Sequence, residues 1–280
     1  MTQYVLVSSL SHSGSTITAL TVARHANCIT LGEVYQVLRE RPSDVLANTV
    51  RECSCGESAA SCSFWGPLLT RLTQVANVKL DEELADQRYL TLVEEFERQF
   101  GRNKHLIDTS KGIKHLSAVS NLAGEVNIKP LYLVRDVRAY ATSQTRLARS
   151  EKRTGIRRVK RNIHYQFLRW FAHNRKRIKM FRVLDKNTLF LSYEAFCLDH
   201  SQTMKNIYRF LGLEVATEQS DGNHHVLIGN PMRNKKKGRH EVFYDYRWLS
   251  NSEINAPGWM YPFVMRLNKS YYEQYAGRKK

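Results

Sequence analysis

Four short groups of residues have the types and spacing needed to bind an anion and to move a proton. They lie at residues 11–16, 108–111, 133–143 and 229–233. Together they hold serine and threonine hydroxyls, arginine, lysine, histidine and carboxylate side chains. Arginine, lysine and hydroxyl groups bind phosphate or sulfate, and histidine or a carboxylate can accept a proton. The sequence therefore predicts a site for an anionic ligand with acid–base groups.

The first group turns a predicted strand into a predicted helix. Residues 4–7 are apolar or aromatic without polar alternation, as in a strand buried on both faces. Ile17, Leu20 and Ala23 then repeat at helical spacing. Such a turn points several free N–H groups at one place, where a phosphate or sulfate can bind. The loop residues small enough for this role are Ser11, Ser13, Gly14, Ser15 and Thr16. Taken alone, this loop also fits an ordinary turn capped by serine and threonine.

The other groups follow predicted strands in the same way. Buried strands are predicted at 105–108, 130–134 and 188–191, and a single helix at 194–211, ended by Gly212. Further helices are predicted over 68–75, 89–100, 139–147 and 261–272. Strands that alternate with helices predict an α/β fold with a largely parallel sheet, whose ligands bind at the carboxyl ends of the strands.

Composition limits the class of protein. The 280 residues carry a formal net charge of +17 and 42% hydrophobic residues, so we expect a single globular domain over residues 1–280. The charge favours anionic partners without choosing among nucleic acid, lipid, polysaccharide and nucleotide. No run of 18 apolar residues is present, which predicts no membrane span. The first strand begins almost at once, which predicts no signal peptide and a cytoplasmic protein.

In chain order, the four groups resemble the sulfotransferases that use 3′-phosphoadenosine 5′-phosphosulfate (PAPS). The resemblance covers roughly residues 4–240. The motifs that carry it are Ser11-His12-Ser13-Gly14-Ser15-Thr16, Asp108-Thr109-Ser110-Lys111, Arg135-Asp136 with Ser143 eight residues after Arg135, and Gly229-Asn230-Pro231-Met232-Arg233. Gly32-Glu33 and Tyr193-Glu194 also fit the bacterial, carbohydrate and protein-tyrosine branches. The resemblance implies a P-loop-like three-layer fold with a central, mostly parallel sheet flanked by helices.

The resemblance also implies roles for individual residues. PAPS is the implied donor substrate and 3′-phosphoadenosine 5′-phosphate (PAP) the product. The loop at 11–16, including His12, would bind the 5′-phosphosulfate, and Arg135 with Ser143 would bind the 3′-phosphate. Asn230 and Arg233 would lie in a loop that covers the nucleotide. Many family members have arginine or lysine in place of His12, so either His12 or Lys111 would stabilise the charge on the leaving phosphate.

Glu33 is the expected catalytic base. It lies 17 residues after Thr16, a place similar to that of the catalytic glutamate in tyrosylprotein sulfotransferases. A carboxylate in a closed cleft can have its pKa raised toward neutrality. The alternatives are that Glu33 caps the helix beginning at Val34 or pairs with an arginine. Asp108 is a second candidate base, with an orienting role favoured.

The implied acceptor is a hydroxyl group of a carbohydrate, glycolipid or small metabolite. Residues 34–100 and 145–182 are the expected acceptor-side regions. Residues 149–182 contain 13 lysines and arginines and one acidic residue. An apolar stripe runs through them at helical spacing, formed by Phe167, Trp170, Phe171, Asn174 and Ile178. This helix is either simply solvated or docks an anionic glycan or lipid headgroup.

A cysteine group remains outside this scheme. Cys53, Cys55 and Cys62 could supply three thiolate ligands that need a fourth, such as a histidine, but the spacing is not a standard zinc pattern. Similar bacterial sulfotransferases often carry such a Cys-x-Cys-Gly turn. We therefore expect a local structural role and no metal, with a disulfide left open for an oxidising compartment.

Two other classes of protein stay open. A nucleotide kinase would share the strand–loop–helix, but it should carry Gly-Lys-Ser/Thr where this chain has Gly14-Ser15-Thr16. A nucleic-acid-binding protein would explain the charge, yet no zinc-finger or RNP-like motif is present, so no specific nucleic-acid partner is expected.

Overall fold

The computed structural model describes residues 2–152, 155–214, 223–229 and 242–275. Its strands are β1 (Gln3–Ser9), β2 (Cys28–Gly32), β3 (His105–Asp108), β4 (Asn127–Val134), β5 (Leu189–Ser192) and β6 (Asn223–His224). They form one sheet in the order β5-β4-β1-β3-β2-β6. Strand β3 is parallel to both β1 and β2, and β2 is parallel to β6. The predicted α/β fold with a largely parallel sheet is confirmed.

Helices flank this sheet. They are α1 (Ser15–Val22), α2 (Val34–Leu38), α3 (Pro42–Leu46), α4 (Trp65–Val75), α5 (Glu82–Phe100), α6 (Ile113–Asn121), α7 (Val137–Ser150), α8 (Ile163–Leu184), α9 (Tyr193–Leu198), α10 (His200–Leu211), α11 (Asn255–Met260) and α12 (Pro262–Tyr275). Within the described ranges, no helix has the length and apolar character needed to cross a membrane.

One predicted helix is wrong in its extent. The helix expected over 194–211 is two helices, α9 and α10, because Asp199 between them has non-helical dihedral angles. Aspartate side chains favour such breaks, since they compete with the helical backbone for hydrogen bonds. The predicted stop at Gly212 is confirmed: its φ of 68° is left-handed. The apolar run at residues 28–31, which was not assigned as a strand, is β2.

The chain divides into two compact units. The first comprises residues 1–8, 15–131 and 214–241, and the second comprises residues 9–14, 132–213 and 242–280, as far as these are described. The acceptor-side region 34–100 lies in the first unit and 145–182 in the second. The prediction of one domain over 1–280 stays a prediction.

Each unit has its own aromatic core. In the first unit, Phe64, Trp65, Tyr89 and Phe96 are fully buried. In the second, the fully buried rings are Tyr132, Tyr140, Phe167, Trp170, Phe181 and Phe196. The apolar stripe predicted on α8 faces this second core, and Phe171 at its edge is half-buried against Phe263. Of the charged residues of α8, Arg175, Lys176, Lys179 and Arg182 are exposed, and Arg169 and Arg177 are half-buried.

Candidate functional site

The loop between β1 and α1 has an unusual backbone. Ser13 donates its N–H to the Leu10 carbonyl at 3.2 Å, and α1 begins at Ser15. His12 and Gly14 both have left-handed φ angles, 64° and 98°. This conformation costs a histidine about 1–2 kcal/mol. Backbone strain of this kind collects at ligand sites, so the loop has the character of a binding loop.

Only glycine fits at position 14. Besides the left-handed φ, a Cβ built on Gly14 would collide with the ring of Tyr193. Side chains from the second unit also hold the loop by its carbonyl groups. Arg135 Nη1 donates to the His12 carbonyl at 2.7 Å, and Gln144 Nε2 donates to the Ser11 carbonyl at 2.9 Å. Contacts with Tyr193, Arg135 and Gln144 therefore fix the conformation of the loop.

Arg135 lies directly after β4 and is only 6% exposed. Its guanidinium contacts the His12 carbonyl, the Asp245 carboxylate at 3.0 Å, and the face of Tyr193 at 4.8 Å from the ring centre. Its own carbonyl accepts a hydrogen bond from Trp170. Arg135 Nε is buried and has no hydrogen-bond partner among the described atoms. An unsatisfied buried donor is costly, and an anionic oxygen would satisfy it.

A cavity of about 250 Å³ opens beside this arginine. The polar and charged residues that line it are His12, Arg135, Thr142, Ser143, Arg146, Ser150, Asp245 and Arg247. The fold thus brings together three predicted site residues, His12, Arg135 and Ser143. Three guanidinium groups face one carboxylate, so the cavity carries positive charge and suits an anion.

Asp245 was not among the predicted residues. Its carboxylate accepts from Arg247 Nε at 2.6 Å, from Arg247 Nη2 at 2.7 Å and from Arg135. The hydrogen bonds of Arg247 in particular, with those of Arg135, hold the pKa of Asp245 well below its usual range despite partial burial. Trp248, also unpredicted, stacks against Arg138 at 4.3 Å from the ring centre. The dense Tyr-Asp-Tyr-Arg-Trp run at 244–248 was the available signal.

Glu33 and Lys111 form an ion pair in the first unit. Lys111 Nζ lies 2.6 Å from Glu33 Oε1, and the two side chains are 18% and 16% exposed. Glu33 occupies the N-cap position of α2, yet its side chain makes no capping hydrogen bond. The capping alternative is therefore wrong, and the ionic partner is a lysine, not an arginine.

Buried groups fix the backbone around Glu33. The Glu33 N–H donates to the Ile228 carbonyl at 3.0 Å. The next N–H, of Val34, donates to Asp108 Oδ1 at 3.2 Å. Asp108 is fully buried and also accepts from Ser110 and from the Tyr4 hydroxyl at 2.7 Å. These contacts favour the predicted orienting role for Asp108.

A separate cluster gathers three thiols and an imidazole in the first unit. The ligand atoms of Cys53, Cys55, Cys62 and His225 all lie within 4.8 Å of one another. The cysteines are free. Hydrogen bonds from Cys53, His225 and two backbone N–H groups lower the pKa of Cys62 to about 4, although burial opposes them. The hydrogen bond with Cys62, together with burial, raises the pKa of Cys53. His225 was missed because it lies 163 residues from Cys62.

Two predicted site residues, Asn230 and Arg233, lie outside the described residues. Of the remaining loop residues, Ser13 and Ser15 are buried, Thr16 is half-buried, and Ser11 is exposed. Ser15 and Thr16 form the first turn of α1.

The chain is thus an α/β protein with an arginine-lined cavity beside a strand-to-helix turn, and the charge of this cavity suits an anionic ligand. Residues 3–254 match the model of the sulfotransferase domain family. The chain therefore belongs to the sulfotransferase domain family and is a transferase. Comparison with curated protein sequences finds no match.

Solved structures of bacterial sulfotransferases have the same fold. The sulfotransferase domain of the Synechococcus PCC 7002 olefin synthase is 17% identical, with a TM-score of 0.59 over 96% of this chain and 94% of that one. The sulfotransferase domain from the curacin biosynthetic pathway is 13% identical, with a TM-score of 0.53 over 100% and 99%. The sulfotransferase from Alicyclobacillus acidocaldarius is 11% identical, with a TM-score of 0.50 over 99% and 97%. At these identities the likeness concerns the fold alone.

Proposed function

We propose that this protein transfers a sulfuryl group from PAPS to a hydroxyl group of a carbohydrate, glycolipid or small metabolite. Membership of the sulfotransferase family supports the class of reaction. The observation that carries the choice of donor is the cavity that joins His12 of the β1–α1 loop to Arg135 and Ser143. PAPS bears two separate anionic groups, and the loop and this cavity supply two separate groups of donors.

In this proposal the loop of residues 11–16 binds the 5′-phosphosulfate. The 3′-phosphate binds in the cavity, where it accepts hydrogen bonds from the unpaired Nε of Arg135 and from Ser143. Charge-assisted hydrogen bonds of this kind are about twice as strong as neutral ones. Asp245 holds Arg135 and Arg247 in place until the phosphate arrives. Asn230 and Arg233 keep their proposed role of covering the nucleotide.

Transfer proceeds by in-line displacement. The acceptor oxygen bonds to sulfur while the bond between sulfur and the bridging phosphate oxygen breaks, and the electron pair of that bond stays on PAP. Glu33 takes the proton of the acceptor hydroxyl. His12 and Lys111 stabilise the charge that develops on the leaving phosphate. Positioning and charge stabilisation do most of the work in such transfers.

The acceptor side of the second unit favours acceptors with anionic groups. An open cavity of about 750 Å³ is lined by Arg149, Arg158, Arg161 and His164. Arg149 is already paired with Glu253 at 2.8 Å, which leaves an excess of positive charge. These residues belong to the predicted acceptor-side region 145–182. A sulfated or uronic-acid glycan, or an anionic lipid headgroup bearing a hydroxyl, fits this surface.

Thermal unfolding with PAP tests the donor site. A ligand at 100 times its Kd adds about 2.7 kcal/mol, which raises the Tm of a chain this size by about 5–11 °C. We expect this shift with PAP, a much smaller one with ATP, and almost none in Arg135→Ala. Arg182→Ala is the matched control on the solvent side of α8, and it should keep the full shift.

The same experiment separates the alternatives. An equal shift with ATP would favour a nucleotide kinase. Steeply salt-dependent DNA binding with no PAP effect would favour a nucleic-acid-binding protein. Ser143→Ala serves as the milder variant if Arg135→Ala does not fold, and it should reduce the PAP shift without lowering the Tm of the free protein.

A further inference from the structure

The cluster of three cysteines and His225 contains no residue assigned above to sulfuryl transfer. Its four ligand atoms converge within 4.8 Å, although its members come from residues 53–62 and from the segment after β6. The sequence favoured a local structural role because the cysteine spacing is not a standard zinc pattern and similar sulfotransferases carry such a turn, and it did not identify the fourth ligand. Folding supplies the fourth, and this changes the interpretation.

The distances within the cluster match a metal centre. The sulfurs of Cys53 and Cys62 are 3.6 Å apart, and Cys62 Sγ lies 3.3 Å from His225 Nδ1. Tetrahedral zinc, with bonds of about 2.3 Å to sulfur and 2.0 Å to nitrogen, separates two sulfurs by about 3.8 Å and sulfur from nitrogen by about 3.5 Å. A disulfide would need about 2.05 Å. The arrangement therefore fits ligands around one ion.

The backbone presents the thiols from two directions. Cys53 and Cys55 lie in a tight turn, closed by the hydrogen bond from Gly56 N–H to the Cys53 carbonyl at 2.9 Å. Gly56 has a left-handed φ of 96°, which the turn requires. Cys62 lies just before α4, where its N–H donates to the Ser58 carbonyl and its carbonyl accepts from the Gly66 N–H, both at 2.9 Å.

The imidazole is held independently of the thiols. The His225 N–H donates to the Thr30 carbonyl at 3.0 Å, and its own carbonyl accepts from Trp65 Nε1 at 2.5 Å. Ser54, inside the cysteine turn, donates to the His224 carbonyl and accepts from the Val226 N–H, both at 2.9 Å. The turn and the histidine segment are thus joined by hydrogen bonds on both sides of the ligands.

The surroundings suit a closed site. The rings of Phe64 and Phe100 lie 6.1 Å and 5.8 Å from the His225 ring, centre to centre. Cys53 and Cys62 are buried, and Cys55 is exposed. An apolar shell limits access of water to a metal and strengthens its bonds to the protein.

We propose that Cys53, Cys55, Cys62 and His225 bind one zinc ion with a structural role. Three thiolates and an imidazole are soft and borderline ligands, which select zinc over magnesium or calcium. Four protein ligands fill a tetrahedral shell and leave no open position for a substrate. The ion ties the cysteine turn to the segment that follows β6, whose Ile228 carbonyl accepts the Glu33 N–H.

Metal analysis of the purified full-length chain tests this proposal. We expect one zinc per chain by mass spectrometry of the metal content. Cys62→Ser and His225→Ala should lower the zinc content at least about tenfold, because a structural site needs its full ligand set. Cys197→Ser is the matched control, a partly buried cysteine in the second unit, and it should retain one zinc. Cys55→Ser is the milder variant to use if the other two do not fold, since this thiol is exposed.

Cobalt substitution gives a second, spectroscopic readout of the ligand set. Cobalt in place of zinc should show thiolate charge-transfer bands and the strong ligand-field bands of a tetrahedral site, and these should weaken in Cys55→Ser. A protein free of metal whose five cysteines all react with an alkylating agent would overturn the proposal. So would a Cys53–Cys62 disulfide, seen as the loss of two hydrogens that a reductant restores. A PAP-induced Tm shift that is retained in Cys55→Ser would show that PAP binding does not depend on the metal site.

Discussion

Two ion pairs have roles in the proposed reaction: Arg135 with Asp245 in the second unit, and Lys111 with Glu33 in the first. Different contacts hold each pair. In the second unit, Arg135 contacts the His12 carbonyl, Asp245 and the Tyr193 ring, and its side chain is 7% exposed. In the first unit, the described contacts give the Glu33 side chain one hydrogen-bond partner, Lys111. The backbone of Glu33 is well fixed, but its carboxylate depends on a single lysine.

This difference corresponds to two kinds of chemistry. Binding a phosphate requires donors fixed in space before the ligand arrives, because any ordering on binding reduces affinity. A general base must instead contact the acceptor hydroxyl and then release its proton. A carboxylate held by one flexible lysine can exchange that partner for the acceptor. The two regions can therefore be perturbed separately: two substitutions do so, and a third affects stability alone.

Replacing Glu33 should have the largest effect. Glu33→Gln removes the base but keeps the shape, so kcat should fall by about 10²- to 10⁴-fold. The PAP-induced rise in Tm should be unchanged, because the donor cavity is intact. The measurement is the initial rate of sulfuryl transfer at saturating PAPS, combined with the thermal shift.

Glu40→Gln is the control for this substitution. Glu40 also forms an ion pair in the first unit, with Arg51 at 3.2 Å, and its side chain is 33% exposed against 16% for Glu33. The Glu40→Gln variant should keep the full kcat. If Glu33→Gln stays within about threefold of the unaltered protein, Glu33 is not the base, and the contrast between the two ion pairs has no catalytic meaning.

Replacing Asp245 should have a moderate effect. It should strengthen PAP binding, whereas replacing Glu33 lowers kcat. Asp245→Asn removes a negative charge from the cavity and releases both Arg135 and Arg247. We expect about tenfold tighter PAP binding, or about 1.4 kcal/mol, because two charges about 5 Å apart interact by up to about 3 kcal/mol in such surroundings. This repulsion should outweigh the lost ordering, since the His12 carbonyl and the Tyr193 ring still hold Arg135. The free protein should have a lower Tm, since two arginines lose their partner.

Isothermal titration with PAP provides the measurement. Asp199→Asn, an exposed aspartate of the second unit, should change neither affinity nor Tm. Weaker PAP binding in Asp245→Asn would mean that the ordering of the two arginines by Asp245 outweighs its repulsion of the phosphate.

Replacing Glu194 should have the smallest effect, on stability alone. Burial, with repulsion from Asp136, raises the pKa of Glu194 to about 7. A raised carboxyl pKa gives stability that is present below about pH 4.3 and is lost as pH rises through 7. Glu194→Gln stays neutral, so between pH 5 and pH 8 its free energy of unfolding should fall by about 2 kcal/mol less than that of the unaltered protein.

Chemical unfolding at the two pH values measures this difference. His105, whose pKa burial lowers to about 4, acts in the opposite direction, because its stabilising neutral form is lost as pH falls. It is present in both proteins, and the comparison between them cancels its contribution. Parallel pH profiles would show that Glu194 is ionised in the folded protein at pH 5.

Much of the candidate site could be predicted because its signals are local. The turn from β1 into α1, the arginine after β4 and the stop at Gly212 each depend on residues that are neighbours in sequence. Apolar runs, helical spacing and small residues indicate such features without knowledge of the partner segments. The split at Asp199 was missed for a related reason: helical spacing continued across it.

The partners of the site residues could not be predicted. Arg135 and Asp245 are 110 positions apart, Glu33 and Lys111 are 78 apart, and Cys62 and His225 are 163 apart. Which side chains meet depends on the order of the strands and on where each one ends, and local pattern does not encode that order. The sequence by itself determined the elements and the chemical groups at their ends. Only the tertiary structure decided which opposite charges and which metal ligands meet, because those contacts exist only once distant segments are packed side by side.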